Sequence, residues 1–258
     1  GVLRAAVDET FVRFDDVHKA FGEQKVLGRI TFDIRRGETM VVLGGSGSGK
    51  SVLIRHVIGL HRSDSGHVFV DGEDIVDYDE EELIPVRQKV AMLFQGSARF
   101  DSMNVLENVA YGLREHTDLG DDRIREIVRD KLAVVGLEDV EELMPAELSG
   151  GMKKRVALAR SIAMDPRCIL YDEPTTGLDP VTANTINEMI RDLQRRLQVT
   201  SVVVTHDIAS AFLVGDRIAY LYEGRMHFVG TVDEAKVSRE PRLRHFLSGG
   251  REVSDAAV

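Results

Sequence analysis

The feature that most constrains the fold is a glycine-rich octapeptide, GGSGSGKS, at residues 44–51. The apolar residues 40–43 precede it, and apolar periodicity predicts a helix from Lys50 to about Leu60. Glycines let the backbone curl so that successive N–H groups point inward, and the helix that follows adds its positive N-terminal end. Strand, loop and helix together predict a site for the phosphates of a nucleotide within an α/β fold.

Individual residues of this octapeptide have predictable roles. Lys50 is expected to reach the β- and γ-phosphates, and the Ser51 hydroxyl is expected to bind Mg²⁺. The backbone of the other loop residues would surround the phosphates; these are Gly44, Gly45, Ser46, Gly47, Ser48 and Gly49. A glycine-rich turn with an incidental Lys-Ser pair is the alternative, and the flanking strand and helix argue against it.

A pair of acids marks a second strand end. The segment at residues 168–172 is apolar on both faces, as a central parallel strand is, and it ends at Asp172. Asp172 is expected to hold Mg²⁺ through water, and Glu173 to polarise the attacking water as general base. The alternative is an ordinary strand boundary with two solvated acids and no catalytic role. The phosphate loop earlier in the chain argues against that alternative.

A second anion site is predicted between these two features, in the sequence ELSGGMKKR at residues 147–155. Ser149, Gly150 and Gly151 begin a predicted helix that runs to about Met164. The N–H groups at its N-terminus and the Ser149 hydroxyl would bind an anion. In isolation the tetrapeptide would be an ordinary serine N-cap with glycines that ease the turn.

Composition fits a single compact unit. The chain has 258 residues, of which 43% are apolar, and a formal net charge of −10, which argues against a nucleic-acid partner. The one cysteine excludes an internal disulfide and favours a reducing compartment. No apolar run approaches the roughly 18 residues of a membrane span, and the N-terminal residues show no secretory pattern.

The distribution of predicted elements suggests three regions. The first third is β-rich, with strands at residues 11–17, 30–35 and 39–43. Residues 97–165 are charged and have helical periodicity, which predicts an inserted helical subdomain. Apolar strands return afterwards at residues 168–172 and 201–205.

In this order the motifs resemble the nucleotide-binding domain of ATP-binding cassette (ABC) proteins, from about residue 11 to residue 230. The resemblance implies a P-loop NTPase fold: a RecA-like α/β core, an antiparallel β subdomain and an inserted α-helical subdomain. It implies one such domain at residues 11–250, followed by a flexible tail at residues 251–258. It also implies an ATPase that forms a homodimer around two ATP molecules, in which Ser149, Gly150 and Gly151 bind the γ-phosphate held by the partner subunit.

Four further positions match the family pattern. Gln95 would contact Mg²⁺ and the attacking water, in a loop that meets the membrane partner. His206, after a third apolar strand, would contact the γ-phosphate. Asp179 would lie near the dimer interface, and Phe21 would stack on adenine unless it belongs to the core.

Several features resemble the ATPases of Mla/MCE lipid transporters. Methionine stands at Met152 where most ABC proteins have glutamine, and residues 95–105, 113–117 and 171–177 fit that group. Ser97 and Arg99 depart from its glycine and leucine, where the permease would dock. The resemblance implies transport of phospholipids or other lipids with an integral membrane permease, an MCE-domain lipid-binding protein and a STAS-domain regulator, at the cytoplasmic face of the inner (plasma) membrane.

Alternatives remain open at this point. The first alternative is the ATPase of an importer or exporter for another substrate. A soluble non-transport ABC ATPase is disfavoured because the chain has one cassette and a short helical insertion. In the resemblance, Phe100 and Met103 would contact the permease. The helix predicted around residues 242–247 would pack either on its own domain or on a partner.

Overall fold

A computed structural model of the chain describes residues 9–93 and 101–250. Its N-terminal part is an antiparallel sheet with strand order β2-β1-β4-β5. These strands are β1 (Thr10–Phe21), β2 (Gln24–Arg35), β4 (Ser65–Val70) and β5 (Glu73–Asp74). Strands β1 and β2 form a long hairpin, whose turn begins at Gly22 with φ 60°.

The second sheet carries the site. Its strand order is β10-β9-β3-β8-β7-β6, and all neighbours are parallel except β10, which runs antiparallel to β9. Its strands are β3 (Thr39–Leu43), β6 (Val90–Leu93), β7 (Cys168–Asp172), β8 (Thr200–Thr205), β9 (Arg217–Tyr222) and β10 (Arg225–Thr231). Every residue of β3, β7 and β8 is buried, which explains their largely apolar sequences.

Helices cover both faces of this sheet. They are α1 (Lys50–Arg55), α2 (Glu80–Lys89), α3 (Val105–His116), α4 (Asp121–Val134), α5 (Gly150–Ile162), α6 (Pro180–Leu197), α7 (Ile208–Val214), α8 (Val232–Lys236) and α9 (Pro241–Leu247). Helices α3, α4 and α5 pack on one another as a helical subdomain. Alternate residues of β3 point to opposite apolar clusters: Val41 faces the helical side, and Met40 faces the antiparallel sheet.

Some predicted boundaries are wrong. The predicted helix that begins at Lys50 ends at Arg55 rather than near Leu60. The chain turns there because Gly59 adopts a left-handed φ of 67° and lies so close to Leu83 that a Cβ would come within 2.5 Å of its side chain. Strands β1 and β2 extend further towards their shared turn than predicted, since cross-strand pairing continues to the tip of the hairpin.

A cluster of charges links the antiparallel sheet to the parallel one. Asp71, in the turn between β4 and β5, accepts hydrogen bonds from Arg36 at 2.6 Å and Arg167 at 3.0 Å, and lies 3.1 Å from Lys89 Nζ. Burial raises the pKa of Asp71, but the hydrogen bonds from Arg36 and Lys89 outweigh burial and hold that pKa below its usual value. The ionised carboxylate therefore joins the turn between β4 and β5 to the connection between β2 and β3, to the end of α2 and to the residue before β7.

The C-terminal helix α9 packs on its own domain. Leu243 is fully buried, the Phe246 ring lies 5.4 Å from that of Tyr220, and the Arg242 guanidinium lies 4.8 Å from the Tyr222 ring centroid. The packing accounts for the apolar positions of this helix without a partner. The predicted tail at residues 251–258 lies outside the described residues.

Candidate functional site

The glycine-rich loop joins the end of β3 to the start of α1. The Lys50 ammonium donates to the Gly45 carbonyl at 2.8 Å, and the Gly44 N–H donates to the Thr205 carbonyl at 3.3 Å. Gly47 and Gly49 have φ of 77° and 102°, which L side chains rarely adopt. The loop is thus tied to β8 on one side, and its curled backbone exposes N–H groups for phosphate oxygens.

Gly44 supplies a prediction, because a Cβ at this position would lie 2.3 Å from the Leu221 carbonyl oxygen and 2.8 Å from Ser48 Oγ. The carbonyl belongs to the backbone of β9 and cannot move cheaply. We expect Gly44→Ala to displace the loop and to lower the free energy of unfolding by about 2 kcal/mol, as measured by urea denaturation. ATP affinity should fall with it.

Gly28 provides the control for this variant, since a Cβ there meets no atom within 4 Å. Gly28→Ala is expected to change the free energy of unfolding by no more than about 0.5 kcal/mol. Equal effects of the two alanines would show that Leu221 does not restrict the loop.

Asp172 and Ser51 lie side by side at the next functional strand end. The Ser51 hydroxyl donates to Asp172 Oδ1 at 2.8 Å, and an Arg55 nitrogen lies 3.9 Å from Oδ2. Burial raises the pKa of Asp172, while the Ser51 hydrogen bond and the Arg55 charge oppose that rise. A hydroxyl and a carboxylate oxygen therefore meet at one point at the base of the phosphate loop.

Glu173 faces His206 and Lys50. Its oxygens lie 3.1 and 3.0 Å from His206 Nδ1, and Oε1 lies 3.8 Å from Lys50 Nζ. Its backbone φ of 48° is left-handed, and its N–H donates to the Val204 carbonyl at 3.0 Å. Burial lowers the pKa of Lys50, and the charges of Glu173 and Asp172 oppose this. The turn thus directs the Glu173 carboxylate across β8 towards the phosphate loop.

The loop that carries His206 is anchored by a buried polar chain. Asn187 Nδ2 donates to Ser210 Oγ at 2.7 Å, and Ser210 Oγ donates to Asp207 Oδ2 at 2.6 Å. Asp207 also caps α7 by accepting from the Ala209 N–H at 3.0 Å. Sequence reasoning missed Asn187 and Ser210; the signal was a polar residue on an otherwise apolar face of α6.

A second group of predicted residues lies at the N-termini of α5 and α6. The Ser149 side chain accepts a hydrogen bond from the Met152 N–H at 3.1 Å and so caps α5. A Cβ on Gly151 would lie 2.9 Å from Thr182 Cγ2, so α5 begins directly against the start of α6. Asp179 caps α6 by accepting from the N–H groups of Val181 and Thr182. Ser149 and Asp179 are both exposed, at the N-termini of adjacent helices.

Of the remaining predicted residues, the structure describes Phe21 and Met103. Phe21 lies at the tip of β1 and is 45% exposed, so it is not a core residue. Gln95 and Phe100 lie outside the described residues. Met103 is half-buried at the start of the helical subdomain.

The arrangement defines a class of protein. The phosphate loop follows β3, His206 follows β8 and the acidic pair ends β7, so the chemistry-bearing groups lie at the carboxyl ends of three adjacent parallel strands. This is the site of a P-loop nucleoside triphosphatase.

Comparison with known proteins narrows the class. A family model described as "ABC transporter" matches residues 27–176. The chain is 41% identical over 233 residues to "Probable ribonucleotide transport ATP-binding protein mkl" of Mycobacterium leprae, covering 90% of this chain and 67% of that protein. It is 39% identical over 243 residues to "Intermembrane phospholipid transport system ATP-binding protein MlaF" of Escherichia coli K12, covering 94% and 89%.

A solved structure supports the same family. The dimeric post-hydrolysis state of the ATP-binding cassette MJ0796, bound to ADP and Pi, superposes with a TM-score of 0.78 at 32% identity, covering 86% of this chain and 98% of that one. The chain belongs to the ABC transporter ATP-binding protein family, and it is an ATP-hydrolysing subunit of an ABC transporter. The predicted fold class and enzyme class are thereby confirmed.

Proposed function

We propose that this subunit powers the movement of phospholipids between membranes as part of an MCE-type system. The observation that carries the proposal is the 39% identity with MlaF, which extends over 94% of this chain and 89% of that protein. Methionine at Met152, after the LSGG element, agrees with it. The single domain at residues 11–250 would supply the energy, and other subunits would bind the lipid.

The described residues divide the work of phosphoryl transfer. Such a reaction needs positioning and charge neutralisation more than covalent chemistry. The loop N–H groups and Lys50 bind the β- and γ-phosphates. Glu173 accepts a proton from the attacking water and aligns it, and His206, 3.0 Å from that carboxylate, contacts the γ-phosphate. We assign Gln95 to the same water.

The pair of Ser51 and Asp172 fits a magnesium ion. Mg²⁺ prefers oxygen ligands and is usually bound by one or two protein groups together with substrate phosphates and water. The hydroxyl and carboxylate oxygens lie 2.8 Å apart, and residues 9–93 and 101–250 contain no cluster of three or more His, Cys, Asp or Glu side chains suited to a metal. When bound, the ion would neutralise phosphate charge; Ser51, Asp172 and Gln95 are the residues that would hold it.

The second anion site is assigned to a homodimer. Ser149, Gly150 and Gly151 are exposed or half-buried at the start of α5. In the proposed dimer they bind the γ-phosphate of the ATP held by the partner subunit, with Asp179 at the interface. Hydrolysis removes the group that both subunits hold, so the closed dimer opens and works the permease.

The partners follow from the same proposal. They are integral membrane permease subunits, an MCE-domain lipid-binding protein and a STAS-domain regulator, with the ATPase at the cytoplasmic face of the inner membrane. Within the part of the chain that the structure describes, no helix has the length and apolar character needed to span a bilayer. The proposal therefore assigns the membrane passage to the permease.

Ribonucleotide transport is the second candidate. It is favoured by the 41% identity with the mycobacterial protein whose name gives that substrate. The match covers 67% of that protein, against 89% of MlaF. We therefore rank phospholipid transport first.

Purification of the tagged protein from its native membranes in mild detergent tests both candidates. Bound proteins and lipids are identified by mass spectrometry. We expect a permease, an MCE-domain protein and phospholipid. A permease with bound ribonucleotide and no lipid-binding partner would favour the second candidate. Co-purification with ribosomes and no permease would contradict both.

A further inference from the structure

Strand β1 continues beyond the point where its pairing with β4 ends. The register between β1 and β4 ends at His18. Beyond it, the Asp64 carboxylate replaces the missing strand: the Ala20 N–H donates to Oδ2 at 2.6 Å, and Lys19 Nζ donates to Oδ1 at 2.9 Å. One side chain therefore fixes both the backbone and a cationic side chain at this tip.

The fixed cation lies over an aromatic ring. Lys19 Nζ is 5.2 Å from the Phe21 ring centroid, and the Lys19 side chain is only 15% exposed. His61 meets Phe21 edge-on, with ring centroids 5.2 Å apart and an interplanar angle of 70°. Burial and the charges of Arg55 and Lys19 lower the pKa of His61, which keeps that imidazole neutral at physiological pH. The phenyl ring thus has the Lys19 ammonium over it and the His61 imidazole beside it, and Phe21 is 45% exposed.

The same hairpin is packed against the phosphate loop. Lys19 is the cross-strand partner of Leu27 on β2. A Cβ on Gly49 would lie 2.9 Å from Leu27 Cδ2 and 3.1 Å from the Val26 carbonyl oxygen. Because the hairpin and the loop touch at Gly49, the tip that carries Phe21 lies beside the phosphate loop.

We infer that Asp64 is a positioning residue for the base of the nucleotide: it holds Lys19 against one face of Phe21, so that the opposite face receives a purine ring. The inference rests on the proposed role of Phe21 as the base-stacking residue. A purine presents a flat π-face, and stacking on an aromatic side chain needs no hydrogen bonds to base edges. Lys19 excludes the base from its own side and attracts the ring by a cation–π contact.

The experiment separates the base from the phosphates. Binding of ATP and of inorganic tripolyphosphate to the full chain is measured by calorimetry. Phe21→Ala is expected to weaken ATP binding about tenfold, since stacking is lost. Asp64→Ala is expected to weaken it about fivefold, because the charged hydrogen bonds that order the tip are removed. Neither variant should change the affinity for tripolyphosphate, which has no base.

Combination and rescue variants test the order of action. Asp64→Ala should add nothing in the Phe21→Ala background, since Asp64 acts through that ring. Lys19→Met should behave like Asp64→Ala, while Lys19→Arg, which keeps a cation over the ring, should bind ATP almost as the wild type does.

The chain offers a matched control. Lys236 Nζ lies 3.4 Å from Asp233 and 5.6 Å from the Phe212 ring centroid, the same carboxylate, lysine and phenyl arrangement at another surface. Asp233→Ala is expected to leave the affinities for both ligands unchanged.

The outcomes distinguish two failures. Unchanged ATP affinity in Phe21→Ala would refute the stacking role of Phe21, and the inference would fall with it. A weakened Phe21→Ala together with an unchanged Asp64→Ala would overturn only the positioning role of Asp64. Equal loss of ATP and tripolyphosphate binding in Asp64→Ala would also overturn it, because the effect would then act through the phosphate loop.

Discussion

Replacing Glu173 with glutamine is expected to slow ATP hydrolysis about 1,000-fold, because a positioned general base contributes between 10² and 10⁴ in rate. Glutamine has the same shape, and an amide nitrogen cannot accept the proton of the attacking water. Binding should survive, since the contacts of Lys50 with the Gly45 carbonyl and of Ser51 with Asp172 do not involve this side chain. Phosphate release at saturating Mg-ATP measures the rate.

The same substitution should trap a dimer on ATP, which gel filtration detects. Ser149 allows a charge-specific test of that dimer in the Glu173→Gln background. Aspartate and asparagine are both good N-cap residues, so either should preserve the start of α5. Ser149→Asp brings a negative charge towards the partner's γ-phosphate and should abolish the dimer, whereas Ser149→Asn should retain it.

Two results would contradict these assignments. A Glu173→Gln protein that stays monomeric on ATP and hydrolyses it at the wild-type rate would remove Glu173 from the reaction. A dimer that forms equally well with Ser149→Asp and Ser149→Asn would show that α5 does not face the nucleotide of the partner.

The local sequence pattern was sufficient to predict the functional side chains that lie at strand ends. Lys50 and His206 come shortly after largely apolar segments and Asp172 ends another, and the ends of parallel strands meet at one edge of a sheet. The distance of 3.8 Å between Lys50 and Glu173 follows from that rule, although the two residues lie far apart in the sequence. Motif spacing therefore predicted the site because the sheet topology is regular.

Contacts between residues distant in the sequence could not be predicted from the local sequence pattern. The chain from Asn187 through Ser210 to Asp207 depends on how α6 packs against α7, and no local periodicity reports such packing. The role of Asp64 depends on where the register between β1 and β4 stops. The early end of α1 depends on the contact between Gly59 and Leu83, which belong to different elements. Each is a tertiary effect that overrides or supplements the local signal.

Removal of the Lys50 ammonium is expected to have the largest effect on nucleotide binding. Lys50 is 5% exposed and lies near Asp172 and Glu173, which are 2% and 8% exposed. A buried cation interacts strongly with phosphate because little water screens it. Lys50→Ala should therefore weaken ATP binding about 100-fold, the upper range for a hydrogen bond to a charged group. Calorimetry measures the affinity.

Thermal unfolding measures the loss of ATP affinity in Lys50→Ala independently. A ligand at 100 times its dissociation constant stabilises the folded state by about 2.7 kcal/mol, so Mg-ATP should raise the Tm of the wild type clearly. At the same ATP concentration the Lys50→Ala protein should gain no more than about 0.4 kcal/mol, since that concentration only equals its weakened dissociation constant. Lys236→Ala, at a half-exposed lysine away from the loop, should keep the full rise. A normal ATP-induced rise in Lys50→Ala would show that the Lys50 ammonium does not contribute to phosphate binding.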